Sequence, residues 1–250
     1  MFVSYAILTH NEGQMIAELL MDLTLYIESS KDECEVVILD DYSSDAKTQM
    51  ILRQFETKKD FIRVSYRKHD GNFANQKNAL TDLCKGEWIF NIDADERPPS
   101  TLLDIVHPLI DSNPTVEVFS IPRLNTVDGL TEKHIQKWNW RISYINGFDK
   151  VTILKKDSDE YQFLSKNGLI IREENDLIHY KVPIIMWPDF QMRLYKNNKK
   201  IRWVNAVHEV LSGHQSIGAL PPDPLYALRH FKDIKRQEQQ NELYDKIQKG

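Results

Sequence analysis

The segment Gly86-Glu87-Trp88-Ile89-Phe90-Asn91-Ile92-Asp93-Ala94-Asp95-Glu96-Arg97-Pro98-Pro99 reads as a buried strand, residues 88–92, that runs into three acids and stops at two prolines. Prolines here close the strand and suit the first turn of a following helix. Asp93 and Asp95 stand either side of Ala94, and two carboxylates so close repel unless a proton or a cation lies between them. Hard oxygen ligands suit Mg²⁺ or Mn²⁺, ions that bridge protein carboxylates to substrate phosphates. A bare D-x-D is more often a solvated acidic turn; the strand before it and the helix signal after it give the metal reading its weight.

Outward from this segment the same pattern repeats. Residues 2–8 form an apolar, β-rich run broken by Thr9-His10-Asn11-Glu12-Gly13, after which Ile16, Leu19, Leu20, Leu23 and Ile27 recur at helical spacing. Residues 35–39 read as a second buried strand, closed by Asp40-Asp41, with a helix through Ile51, Leu52 and Phe55. Residues 61–66 form a third strand, and Asn72 can cap a helix carrying Phe73, Leu80 and Leu83. Beyond the acids, a helix carries Leu102, Leu103, Val106, Leu109 and Ile110, which Pro108 should kink or end early, and residues 116–121 form a fifth strand. Strands alternating with helices predict an α/β fold with a mostly parallel sheet covered on both faces. Thr9/Asn11/Glu12, Asp40/Asp41 and Asp93/Asp95 each follow a strand. Ligands of open α/β sheets bind outside the carboxyl ends of the strands, so the three clusters are expected to share one crevice.

After Pro122 the alternation is lost, and residues 123–185 are aromatic and charged; Trp138, Trp140, Tyr144 and Phe148 suit either sugar or base rings or ordinary packing, and packing is the expected role. Farther on, Trp187-Pro188 precedes Asp189 as a stiffened turn, residues 191–195 alternate as a strand, Asn197-Asn198-Lys199-Lys200 is a hairpin turn, and residues 201–204 return. Val207-His208-Glu209 follows, with Glu209 expected to partner Arg193 or Arg202. Residues 233–249 read as a polar terminal helix docked by Leu243, Tyr244 and Ile247.

The composition, 41% hydrophobic and 28% charged over 250 residues, is that of a soluble globular protein. A net charge of −5 gives no global attraction to nucleic acid or anionic membranes. No apolar run reaches transmembrane length and the N-terminus lacks a signal peptide, so a cytoplasmic protein, at most peripheral to a membrane, is expected. Cys34 and Cys84 are isolated and expected as free thiols.

With these pieces in place the chain resembles the family 2 glycosyltransferases with the GT-A fold, and looks closest to the lipopolysaccharide core (WaaE-like) branch. The matching segments are Leu8-Thr9-His10-Asn11-Glu12, residues 37–45, Asn75-Gln76-Lys77-Asn78-Ala79-Leu80, residues 86–97, residues 187–195 and Val207-His208-Glu209. The stretch 123–185 is longer than that branch usually has. The resemblance implies one GT-A domain over 1–250: a nucleotide-sugar-binding half at 1–122, an acceptor insertion at 123–185, an acceptor-side half at 186–232 and a terminal helix at 233–250. It implies a divalent metal, Mn²⁺ or Mg²⁺, a nucleoside-diphosphate sugar donor with UDP favoured, and a hydroxyl acceptor, a glycan before any other. Thr9, Asn11, Glu12, Asp40, Asp41, Lys77, Asp93, Ala94, Trp187 and Arg193 would bind the nucleotide. One of Asp40 and Asp41 would accept the base imino N–H. Asp93 and Asp95 would hold the metal, with His208, or His230 in its place, as a third contact; Asp189 would be the base and Glu209 its rival.

Two other classes compete. A nucleotidyltransferase would carry a glycine-rich basic phosphate loop, whereas residues 8–13 hold one glycine and no lysine or arginine. A non-catalytic nucleotide- or glycan-binding module would not need Asp93, Asp95, Asp189 and His208 together. Within the transferase class, hydroxymethylated bases in DNA are the alternative acceptor, kept open by basic residues at 196–202 and 232–236.

Overall fold

The computed structural model describes residues 1–249. In chain order its elements are β1 (Val3–Thr9), α1 (Gly13–Ser29), β2 (Cys34–Asp40), α2 (Ala46–Lys58), β3 (Ile62–Tyr66), α3 (Phe73–Leu83), β4 (Trp88–Asp93), β5 (Glu96–Arg97), α4 (Ser100–Ser112) and β6 (Val118–Asp128). There follow α5 (Glu132–Trp138), β7 (Ile142–Ser143), β8 (Asp149–Ile153), α6 (Asp159–Lys166), β9 (Ile170–Glu174), β10 (Leu177–Lys181), β11 (Ile184–Lys196), β12 (Arg202–Val204), β13 (Val210–Ser212), β14 (Ile217–Ala219), β15 (Leu228–Asp233) and α7 (Ile234–Lys249). The chain divides into two compact units, residues 1–122, 190–228 and 244–250 in the first, residues 123–189 and 229–243 in the second.

In the first unit the sheet order runs β3-β2-β1-β4-β11. β1 pairs in parallel with β2 and β4, and β2 with β3, whereas β11 meets β4 antiparallel through Leu194–Phe90 and Tyr195–Ile89. Strands buried on both faces must be apolar throughout, and β1, β2 and β4 are. One face of the sheet packs on Ile16, Leu19, Leu20 and Leu23 of α1 and Leu102, Leu103 and Val106 of α4. The other packs on Ala74 and Leu80 of α3 and on Trp203. Asn72 caps α3 through Asn75 N–H. Pro108 does not end α4, which runs on to Ser112. Gly86 enters β4 so close to β1 that a Cβ would lie 2.6 Å from the Ser4 nitrogen. Gly86→Ala is therefore expected to destabilise the fold by about 1–3 kcal/mol, the range for overpacking, read from the denaturant midpoint at unchanged slope.

Two expectations are corrected. Residues 201–204 do not return along β11: β12 pairs with β13, Arg202 to Ser212 and Val204 to Val210. The fifth strand is also longer than the apolar run suggested, reaching Asp128. The second unit orders the stretch the sequence left unassigned. It holds the antiparallel sheet β8-β10-β9, with its own core of Val127, Leu130, Phe163, Leu164, Ile178, Tyr180 and Ile185. Cys34 and Cys84 are free thiols, and burial pushes both up to about 12. Among the described residues no helix is long and apolar enough to cross a membrane.

Candidate functional site

At the carboxyl ends of β1 and β2 the two loops are tied to each other. Asn11, at φ 56°, donates its backbone N–H to Ser43 Oγ, and its Oδ1 accepts the N–H groups of Ser44 and Asp45. Gly13 N–H, in the first turn of α1, reaches Thr48 Oγ1 in α2 at 2.7 Å. Asn11 is thus the splice between loops, and Glu12 stands at the N-cap of α1 without a side-chain cap bond. Asp40 and Asp41 are not equivalent. Asp40 is buried and turns back on its own loop, accepting Ser43 N–H and Oγ–H. Asp41 is partly exposed and faces the next loop, accepting His69 N–H at 2.8 Å with Lys68 Nζ at 3.4 Å. Thr9 Oγ1 is buried and has no hydrogen-bond partner among the described residues.

The end of β4 is organised by Arg193. This side chain, fully buried on β11, donates to Asp93 Oδ2 at 2.5 Å, Glu96 Oε1 at 2.6 Å and Asn91 Oδ1 at 3.2 Å. Burial alone would favour loss of its proton; the carboxylates of Asp93 and Glu96 outweigh that and raise its pKa. Glu96 Oε2 also accepts Asp93 N–H, pinning the turn through the buried Ala94. Arg97 donates to the carbonyls of Ala94, Glu96 and Met15 and to Glu18. Asp93 and Glu96 thus meet the Arg193 guanidinium, and Glu18 meets that of Arg97. Asp93 and Asp95, hard oxygen donors either side of Ala94 at the end of β4, fit a divalent cation held by one or two carboxylates and completed by substrate phosphates. Among the described residues no three His, Cys, Asp or Glu side chains converge as ligands.

His208 and Glu209 lie in the turn between β12 and β13. The turn is held to α3: Asn78 bonds both backbone groups of Trp203, and Phe73 N–H donates to Ala206 O. The direct ion-pair partner of Glu209 is Lys77, at 2.6 Å and almost buried; the Glu209 charge also acts on Arg193, whereas Arg202 pairs with Asp82. Lys77 Nζ also sits 4.4 Å from the centroid of the Trp203 ring. The exposed His208, at φ 53°, packs its ring edge-on against Tyr244, which also meets Phe73. Tyr244 is thus a docking residue of α7, as expected, whereas Leu243, expected beside it, is exposed.

Asp189 belongs to the second unit and lies within β11 rather than in a turn. Residues along a strand alternate faces, and Arg123 and Asn125, two apart on β6, both reach it. Arg123 donates Nε and an amino N–H to Asp189 Oδ2 at 2.9 and 2.7 Å, and Asn125 Nδ2 donates to the same oxygen at 2.9 Å. Asn125 Oδ1 lies 2.7 Å from Nδ1 of the buried His230. Trp187, two residues before Asp189, is half-buried. Sequence reading missed Arg123 and Asn125; the signal was the alternation of Arg123, Leu124 and Asn125 straight after the fifth strand. His230, the alternative third metal contact by sequence, is buried and lies against Asn125 through Nδ1.

The model of glycosyl transferase family 2 matches residues 4–201. Among curated proteins, the SPbeta prophage-derived glycosyltransferase SunS of Bacillus subtilis (strain 168) is 29% identical over 94 residues, 37% of this chain and 20% of SunS. An uncharacterized protein, y4gI of Sinorhizobium fredii (strain NBRC 101917 / NGR234), is 25% identical over 113 residues, 44% of this chain and 12% of y4gI. The chain spans a fifth or less of the length of these relatives. Among solved structures, TarS 1–349 of S. aureus superposes with a TM-score of 0.53 at 17% identity, covering 99% of this chain and 64% of that one. TarS 1–349 in complex with UDP-GlcNAc gives 0.56 at 19%, covering 93% and 59%. Likeness at this level concerns the fold: a GT-A arrangement with a curled, mostly parallel central sheet and flanking helices.

Proposed function

The chain belongs to glycosyl transferase family 2, and from that premise we propose that it moves a sugar from a UDP-sugar to an acceptor hydroxyl with inversion, in a metal-dependent reaction. The observation that carries this reading is the convergence, at the carboxyl ends of β1, β2 and β4, of two spliced loops and an acid-rich turn organised by Arg193. The donor is favoured as UDP-linked because TarS, a fold relative, was solved with UDP-GlcNAc. The order of the short motifs favours the lipopolysaccharide core branch, and hence a glycan acceptor, with the 123–185 stretch as the acceptor region.

In this reading Asp93 and Asp95 would hold the divalent ion, with Asp95 favoured as the direct ligand, and His208 would be a candidate further contact. When bound, the ion offsets the charge that gathers on the departing diphosphate. Asp41 accepts the imino N–H of the base; Thr9 Oγ1, buried and unpartnered, is a hydrogen-bond donor for the nucleotide. Asn11, Glu12 and Ala94 shape the pocket, and Lys77 turns from Glu209 to the diphosphate. The acceptor oxygen forms a bond to the anomeric carbon while the bond from that carbon to the diphosphate oxygen breaks, the electron pair leaving with UDP. The hydroxyl proton passes to Asp189 and then to solvent. Attack opposite the leaving group inverts the anomeric centre, and one carboxylate suffices.

Hydroxymethylated DNA is the weaker acceptor reading, because three of the basic residues that kept it open are engaged. Arg202 pairs with Asp82, Lys196 bonds the Pro114 carbonyl, and Lys232 bonds Gln240.

A thermal-shift screen of UDP-, GDP- and dTDP-sugars with Mn²⁺ tests the donor, and stabilisation by UDP-sugars with slow release of UDP is the expected outcome. Stabilisation without turnover would favour a binding module; no response to any nucleotide sugar would overturn the reading. The two aspartates after β2 should separate. Asp41→Ala is expected to weaken UDP binding by about 1–3 kcal/mol with little change in melting temperature. Asp40→Ala is expected to lower stability by a similar amount, because Ser43 loses the acceptor of two bonds. Calorimetry showing wild-type UDP affinity in Asp41→Ala would remove the base pocket from this position.

A further inference from the structure

We infer that His230 is a positioning residue for Asp189, acting through the Asn125 carboxamide. The inference rests on the reading of Asp189 as the proton acceptor. An ionised carboxylate accepts hydrogen bonds and cannot donate them, so the atom that Asn125 turns to Asp189 Oδ2, at 2.9 Å, is its amide nitrogen. The same nitrogen lies 3.3 Å from the Ile185 carbonyl oxygen, a second acceptor that demands the same orientation. The amide oxygen must then face the other way, toward His230 Nδ1 at 2.7 Å. An amide oxygen accepts only, so His230 carries a proton on Nδ1. Each step fixes the next: the carboxylate sets the amide, and the amide sets the imidazole tautomer.

The physical importance runs in the reverse direction. A terminal amide has two orientations of nearly the same shape, and one of them would turn an oxygen toward the Asp189 carboxylate. The imidazole N–H removes that orientation by hydrogen-bonding only the oxygen. His230 is buried, on a strand neighbouring β6, so the donor is held by packing rather than by solvent. Arg123 approaches the same carboxylate oxygen through its Nε and one amino group. Asp189 is therefore oriented by two neighbours on β6, one charged and one neutral, and the neutral one is set by His230. A base displaced by a fraction of an ångström or turned on its torsion loses much of its rate advantage, on the order of 10²-fold for a misplacement of about 1 Å.

The test uses the whole chain with UDP-GlcNAc, Mn²⁺ and water as acceptor, following release of UDP. His230→Leu removes the donor at similar volume. His230→Asn retains an N–H donor near the position of Nδ1. The expected result is a fall in kcat on the order of 10²-fold for His230→Leu, with KM for UDP-GlcNAc unchanged, and recovery of most of it in His230→Asn. Asn125→Asp keeps an acceptor for His230 but turns an oxygen toward Asp189, and should lose at least as much, so it carries the test if His230→Leu fails to fold. Wild-type kcat per folded molecule in His230→Leu or Asn125→Asp, with Asp189→Asn inactive, overturns the positioning role. Equal losses in His230→Leu and His230→Asn also overturn it, since packing alone would then matter. If Asp189→Asn itself turns over at the wild-type rate, it is the reading of Asp189 that fails.

Discussion

Asp95→Ala is expected to abolish Mn²⁺-dependent turnover of a UDP-sugar while the protein remains folded. A metal on a leaving diphosphate supplies several kcal/mol of charge stabilisation, so the loss should be about 10³-fold or more. Binding of UDP should lose its dependence on Mn²⁺ at the same time, which calorimetry with and without EDTA reads directly. The neighbouring acid should behave differently. Asp93 is one of two carboxylates on the buried Arg193 guanidinium, and it is also pinned through its backbone to Glu96. Removing one partner of a buried ion pair costs about 3–5 kcal/mol when nothing else compensates; here Glu96 and Asn91 remain, so the penalty should fall below that range. Asp93→Ala is thus expected to lose activity and melt earlier, and for Asp95→Ala the readout is the Mn²⁺ dependence of turnover and UDP binding per folded molecule. Turnover in Asp95→Ala that matches wild type in both EDTA and Mn²⁺ would remove the metal from this pair of acids.

The contrast between those two acids illustrates what a sequence can carry. Asp93 and Asp95 were recognisable as a pair because strand period and proline punctuation are local signals. Three of the parallel strands were legible for the same reason: β1, β2 and β4 are buried on both faces and therefore apolar without interruption. Asn72 announced a helix start because its side chain bonds within three residues. Partners distant in sequence left no such trace. β12 was paired with the wrong strand because three residues carry no register. Its true place is set by Asn78 on α3 and by the Trp203 ring against Tyr195. Glu209 was matched to an arginine because charge alone cannot choose among cations; the burial of Lys77 beside Trp203 chose. Arg123 and Asn125 went unread because the β6 alternation continues beyond Pro122, where the helix-strand rhythm stops.

Asp189→Asn should cost a factor of about 10²–10⁴ in kcat, the usual scale for a positioned base, with UDP-sugar and Mn²⁺ binding retained. Asparagine keeps the shape and one acceptor oxygen for Arg123 and Asn125, but it cannot take the acceptor proton at neutral pH. The competing account is that Asp189 merely ties β11 to β6, because Arg123 and Asn125 both donate to its Oδ2. The two accounts separate on different axes. A tie would make Asp189→Asn melt earlier while kcat per folded molecule stayed within a few-fold of wild type. A base would leave the binding constants near wild type and remove turnover. Glu209→Gln supplies the internal comparison. Its carboxylate is committed to Lys77 at 2.6 Å, so removing the charge should act chiefly through Lys77 and the β12–β13 turn, altering donor affinity and lowering kcat less. An inactive Glu209→Gln with intact donor binding, beside an Asp189→Asn that transfers normally, would exchange the two roles. The ion pair with Arg123 adds a second discriminating variant. Arg123→Met in the Asp189→Asn background should cost little further activity if the arginine acts by orienting the carboxylate, since residues that work as one unit are not additive. A multiplicative loss would give Arg123 a role of its own in the reaction.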